Sequence, residues 1–291
     1  ILLADISLDK QIAISKGITI DGQGKYTITA EKRLASTSNK AGMFYRTQSA
    51  KDTLTFLNVT LDGNGVSKIF LNEGGAGETV FDGVTSKNGG GISYGAGIHI
   101  SGGGSHATIK NSTLTGSKGE FELNDTNYYA ANDLWVGGNV YVTVENSTIG
   151  TVFVNTTTAP DSSVNGNLTI KGADTKISYL SGEEDPEADI NGNKSSIITI
   201  ENGNVETIFD KGIYIISGGV FNTEIKPEWC AEGYIPTIND DGTYGVKPGK
   251  YVAQVGNAKY ETVNDAIAAA AASMNLRLCF SCAKLWSLSQ S

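Results

Sequence analysis

Between Ile20 and Val220 one pattern of hydrophobic and polar positions keeps returning: an apolar strand residue, one outward residue, Asn or Gly at a bend, then strand again. It reads Ile20-Asp21-Gly22, Phe56-Leu57-Asn58-Val59-Thr60-Leu61, Phe81-Asp82-Gly83-Val84 and Ile109-Lys110-Asn111-Ser112-Thr113-Leu114. It continues as Val144-Glu145-Asn146-Ser147-Thr148-Ile149, Ile170-Lys171-Gly172, Ile200-Glu201-Asn202-Gly203-Asn204-Val205 and Ile216-Ser217-Gly218-Gly219-Val220. From Gly22 to Gly218 the bends are 36, 25, 28, 35, 26, 30 and 16 residues apart. Steps this uneven exclude an array of fixed helical repeats. They fit a solenoid whose coils each give short strands to parallel sheets while the loops between sheets vary in length. The last step is too short for a full coil, so the solenoid is expected to end there.

A sharp turn between strands needs a residue that tolerates left-handed backbone angles, which favours Gly and Asn. Asparagine also brings an amide. Stacked about 4.8 Å apart, the amides of Asn58, Asn111, Asn146 and Asn202 are expected to form a ladder, each donating to one neighbour and accepting from the other. On this reading the triplets Asn111-Ser112-Thr113 and Asn146-Ser147-Thr148 are bends rather than glycan acceptors.

After the solenoid, Asp241-Gly242 between Tyr234-Ile235 and Tyr244-Val246 signals a β-hairpin. Tyr251 to Val255 then reads as a strand, Gly256-Asn257 as a turn, and Thr262 with Asp265 as a cap opening the alanine run Ala266 to Ala272. The expected organisation is a parallel β-helix over 1–222, a hairpin module over 223–250, a strand and helix start over 251–272, and an atypical tail over 273–291.

Composition agrees with an all-β chain. There are 36 glycines but only 5 prolines, and charged residues make up 18%, below the roughly 25% of an average domain. The net charge of −9 and the scarcity of arginine leave no basic stripe for a phosphate backbone, so nucleic acid is not an expected partner. No apolar run approaches the roughly 20 residues of a membrane span, and none is expected in this segment. The three cysteines offer no disulfide framework before Cys230.

The recurring bend unit, over roughly Ile1 to Thr223, resembles right-handed parallel β-helices of the pectate-lyase-like superfamily, especially glycine-rich surface repeats of Gram-positive bacteria. The segments Trp229 to Tyr234 and Asn239 to Val246 are similar to a module that follows such solenoids. The resemblance implies a right-handed β-helix, an extracellular or cell-surface location, and a window cut from a longer array.

Polysaccharide lyases and hydrolases share this architecture, and such hydrolases need two carboxylates facing one groove. Asp240-Asp241 lies in the hairpin turn, where turn chemistry is the expected role. The acid and base blocks of similar galacturonases are missing, and Arg33 and Arg46, the only arginines of the solenoid, are placed in a polar loop with no carboxylate cluster beside them. His99 and His106 flank a glycine loop, but two ligands do not make a zinc site. Cys279 and Cys282 have redox spacing without a supporting second pair. The acidic run Glu183 to Asp189 lacks a calcium-loop pattern and reads as a solvated loop. No cofactor or metal is expected.

The longest coil, between Asn111 and Asn146, carries the candidate binding residues Asp125, Tyr128, Tyr129, Asn132, Asp133 and Trp135. Aromatic faces stack on sugar rings, and carboxyl and amide groups hold hydroxyls. Exposure separates a sugar platform from simple packing of this insertion on the solenoid wall. The expected function is a non-catalytic stalk or adhesin segment binding glycans or host-surface molecules. The alternatives are a divergent polysaccharide lyase or hydrolase, and a structural spacer.

Overall fold

A computed structural model describes all residues except 35–41, 48, 74–76, 91–96, 103, 119–131, 156–165, 184–195, 257 and 273–291. The chain is an all-β parallel β-helix, followed by antiparallel hairpins and a helix over 263–272. Each coil contributes to three faces. Face one stacks Ile18–Asp21, Leu54–Leu57, Glu78–Asp82, Ser105–Lys110, Val140–Glu145, Gly166–Lys171, Ile197–Ile200 and Ile213–Ile216, all parallel. Face two begins with Ile6–Leu8, Thr27–Ala30, Thr60–Asp62, Thr85–Lys87 and Thr113–Thr115. Face three begins with Ile12–Ile14, Phe44–Arg46, Phe70–Glu73, Ile98–Ser101 and Leu134–Val136. The last two then merge, because Thr148–Val154, Lys176–Gly182 and Asn204–Phe209 run through both as single strands.

Alternation turns every second residue of each face inward. On face one Ile20, Phe56, Phe81, Ile109, Val144, Ile170, Ile200 and Ile216 pair in register, and all but Ile20 are buried. Phe56 stacks on Phe81 at 5.3 Å and meets Phe44 and Phe70 edge-on at 5.0 and 5.7 Å. Offset and edge-on contacts of this kind add to plain area burial.

The bends between faces one and two carry the register. Asn58, Asn111 and Asn146 all adopt the left-handed conformation, with φ of 46°, 51° and 47°, as does Gly83 at 64°. Asn202 departs from the expectation. Its coil uses a bend of the same length in which the following residue, Gly203, at φ 113°, takes the left-handed angle, and the Asn202 side chain accepts the Gly203 amide. The amide ladder is also corrected. Left-handed angles turn these asparagines outward, where all three are exposed. Asn111 donates to the Asp82 carboxylate at 2.9 Å, and the Asn58 and Asn146 carbonyls lie where a side chain at Gly83 or Gly172 would stand. The buried position is the next residue: the Ser112 hydroxyl accepts from the Val84 amide at 3.0 Å and donates to the Lys110 carbonyl at 2.7 Å. Ser147 repeats this, accepting from the Ser112 amide and donating to the Glu145 carbonyl.

Arg46 does not lie in a polar loop as expected from the sequence. It lies on a face-three strand and points into the core with no exposed surface, in register with buried Asn72. Its guanidinium donates to the Glu78 carbonyl, the Thr79 hydroxyl, and the Ala50 and Asp52 carbonyls. It pins the corner between face three and the next coil.

The solenoid closes on the hairpin Tyr234–Ile238 and Tyr244–Pro248, whose second strand pairs antiparallel with Val220–Phe221. Ile225, Trp229 and Ile235 are buried there, and Trp229 packs against Tyr214 at 5.1 Å. Gly242, at φ 85°, and Asp241, which accepts the Thr243 amide and hydroxyl, form the turn. These bonds hold the Asp241 carboxyl below its usual range. Ala253–Val255 and Ala258–Tyr260 make a further hairpin, and Thr262 caps the helix by accepting the Asp265 amide at 3.1 Å.

Candidate binding surface

Of the six candidate residues, Asp125, Tyr128 and Tyr129 lie outside the described residues. Asn132, Asp133 and Trp135 are described, and all three are buried. Trp135 sits on the outer side of face three in the in-register column Tyr45, Leu71, His99, Trp135, Phe153, Ser181 and Phe209. Only 4% of its surface is exposed, and its ring packs on Phe153 at 4.9 Å and near His99 at 5.5 Å. By the exposure criterion the Trp135 ring is a packing group.

Asp133 is a staple. Its carboxylate accepts the Ser117 amide at 2.9 Å and the Thr151 amide at 3.0 Å, joining the base of the insertion to the next coil. Gly150 makes room for it, since a side chain there would stand 2.4 Å from the carboxylate. Burial pushes the Asp133 carboxyl up to about 6, although the hydrogen bonds from Ser117 and Thr151 pull the other way.

The two histidines are on different faces. His99 is buried on face three, with the Lys68 ammonium 3.2 Å from its Nδ1. His106 is exposed on face one and stacks on Tyr141, with centroids 5.0 Å apart and planes 16° from parallel. Among the described residues no group of three or more His, Cys, Asp or Glu side chains is placed to hold a metal ion. Burial and the neighbouring Glu228 push the Cys230 thiol up to about 11, which keeps it protonated and a poor nucleophile. Among the described residues no helix is long and apolar enough to cross a membrane.

The outer side of face one is an open surface. One row runs Glu78, His106, Tyr141, Asn167, Ile197 and Ile213 from coil to coil. Beside it runs a hydroxyl row of Thr19, Thr55, Val80, Thr108, Thr143, Thr169 and Thr199. A third row, next to the bends, holds Asp82, Lys110, Glu145 and Lys171, alternating in sign. Lys110 pairs with Asp82 at 3.2 Å and Lys171 with Glu145 at 3.4 Å, while on face two Lys87 pairs with Asp62 of the preceding coil at 3.4 Å. Tyr141 is 46% exposed, and among the described residues neither its hydroxyl nor those of Thr143 and Thr169 make a hydrogen bond.

The sequence analysis does not single out this row, because its members lie in separate coils and only register brings them together. Its signal was present: Glu78, His106, Tyr141 and Asn167 each stand five positions before a bend residue, at Gly83, Asn111, Asn146 and Gly172. Compared with models of known protein families, with curated proteins and with solved structures, the chain matches none of them. The class defined by the architecture is therefore the parallel β-helix.

Proposed function

We propose that the chain is a non-catalytic, extracellular β-solenoid segment of a bacterial surface protein, of the pectate-lyase-like kind, that binds glycans. The observation that carries this reading is the exposed ring pair of Tyr141 and His106, set in register with Asn167 and flanked by unengaged threonine hydroxyls. An aromatic face next to hydroxyl and amide groups is the chemistry that holds a pyranose. Carboxylates on the same side support binding without turnover. Asp82 and Glu145 are each ion-paired to a lysine of the following coil, and Glu78 accepts the Thr108 hydroxyl at 3.0 Å. A hydrolase needs two carboxyl groups facing one bond with different proton affinities, an arrangement these pairings do not provide.

A structural spacer is the second reading, favoured by the buried positions of Asn132, Asp133 and Trp135. A glycan array probed with a clustered display of the chain separates the two, with reducing-sugar and unsaturated-product assays run on the retained glycans. Saccharide binding without product, weakened by Tyr141→Ala, is the expected result. Absent binding by both proteins would leave the spacer, equal binding would move the site away from Tyr141, and product formation would restore the enzyme.

A further inference from the structure

We propose that Asn202 is a site of spontaneous chemical modification, at which the folded bend sets the side-chain amide against the backbone nitrogen of Gly203. The residue then loses ammonia through a cyclic imide and becomes aspartate or isoaspartate. Among the described residues, Asn64, Asn88 and Asn202 each precede a glycine. An asparagine before glycine is open to this reaction because no Cβ on the next residue hinders the approach of its nitrogen. What separates the three is how that nitrogen and the side-chain amide are held.

At Asn64 both groups are engaged elsewhere. The Gly65 amide donates to the Asn88 carbonyl at 2.7 Å, and Asn64 Nδ2 donates to the Ala30 carbonyl at 3.1 Å. At Asn88 the side chain is drawn away from its own backbone, donating through Nδ2 to the Asp62 carboxylate at 3.1 Å. Asn202 is arranged the other way. Among the described residues its side chain has one partner, the Gly203 amide, which donates to Oδ1 at 2.8 Å and has no other acceptor. The side-chain carbonyl carbon is thereby held beside the nitrogen that attacks it. The backbone around this contact is fixed from both sides. The Glu201 amide donates to the Ile170 carbonyl, the Asn204 amide to the Thr175 carbonyl and the Val220 amide to the Gly203 carbonyl, each at 2.8 Å. Holding two reacting groups together in advance removes much of the entropic cost of closing the ring. Asn202 is exposed, so base and water reach it.

In the first step hydroxide takes the Gly203 amide proton, the nitrogen bonds to Asn202 Cγ, and the Cγ–Nδ2 bond breaks. The side-chain nitrogen leaves as ammonia after taking a proton from water. Water then opens the five-membered imide. Opening at Cγ gives aspartate, and opening at the main-chain carbonyl of residue 202 gives isoaspartate, whose backbone runs through Cβ and Cγ. Either product adds a carboxylate beside Glu201 to a chain whose net charge is −9. Isoaspartate also makes the bend one carbon longer just before Asn204–Phe209, the strand that pairs with Lys176–Gly182.

The experiment keeps the full chain folded in mildly alkaline buffer and follows its tryptic peptides by mass spectrometry, beside the same chain unfolded in guanidinium chloride. Unfolded, the three sites share one local chemistry and should each gain one mass unit at similar rates. Folded, the peptide holding Asn202 should gain it several-fold faster than the peptides holding Asn64 and Asn88, and should split into aspartate and isoaspartate forms on chromatography. Asn202→Gln, which requires a larger ring, should abolish the gain in that peptide, with circular dichroism checking the fold. Asn64 or Asn88 converting as fast as Asn202 in the folded chain would overturn the proposal. So would an Asn202 that stays intact in the folded chain while it converts in the unfolded one.

Discussion

At the residue scale, the bends show how one backbone angle divides labour between neighbours. Asn58, Asn111 and Asn146 supply the left-handed turn, and the residues after them, Val59, Ser112 and Ser147, point inward. An L-residue without a short polar side chain pays about 1–2 kcal/mol in that conformation, and glycine pays no steric penalty there. Asn111→Ala should therefore lower stability by about 1 kcal/mol, while Asn111→Gly stays near neutral, as read from urea midpoints. Asp133 gives a second prediction at this scale. Its carboxyl titrates at about 6 in the folded chain because burial disfavours the charge, against about 3.9 in an unfolded chain. Between these values the folded state holds the extra proton, so the stability tied to Asp133 is full below about pH 4 and falls as pH rises through 6. Two units correspond to about 3 kcal/mol, an order-of-magnitude figure. In Asp133→Asn the amide cannot accept two backbone N–H groups with both atoms, so stability should drop at all pH values. The fall between pH 4 and 6 should disappear from its denaturation curves.

At the element scale, strands and bends were legible in the sequence because both obey local rules: period two for the strands and a left-handed residue at the bend. The hairpin at Asp241-Gly242 and the cap at Thr262 followed from equally local chemistry. Three things were not legible, and each depends on register between coils. Arg46 looked like a loop residue because its polar neighbours in sequence hide a strand in which it stands in register with Ile14 on one side and Asn72 on the other. The merging of faces two and three was hidden because the loop between them has no fixed length, and in Thr148–Val154 it vanishes. Trp135 reads from the sequence as an aromatic near an insertion, yet its ring is buried and packs on Phe153, in the next coil. Trp135→Ala should accordingly cost about 3–5 kcal/mol, the range for a buried aromatic. Thermal unfolding checks this: a loss below about 1 kcal/mol would mean that the ring is not a packing element.

At the scale of the whole molecule, each coil touches only its neighbours, so the chain behaves as a one-dimensional stack. The hairpin at the end covers the last coils with Ile225, Trp229 and Ile235 in place of another coil. The same stacking makes the open surface of face one periodic, and the binding proposal depends on that periodicity. Everything rests on residues far apart in sequence standing in one straight row. The direct test is a series of inter-label distances by pulsed electron resonance, with Cys230, Cys279 and Cys282 replaced by serine and spin labels on pairs from the threonine row. One label stays at Thr55, and the second moves to Thr143, Thr169 and then Thr199, which lie three, four and five coils away by register. The account predicts distances that grow by about 4.8 Å at each step, reaching about 24 Å at Thr199. Distances that fail to increase in that order would contradict the stacked rows and the surface built on them.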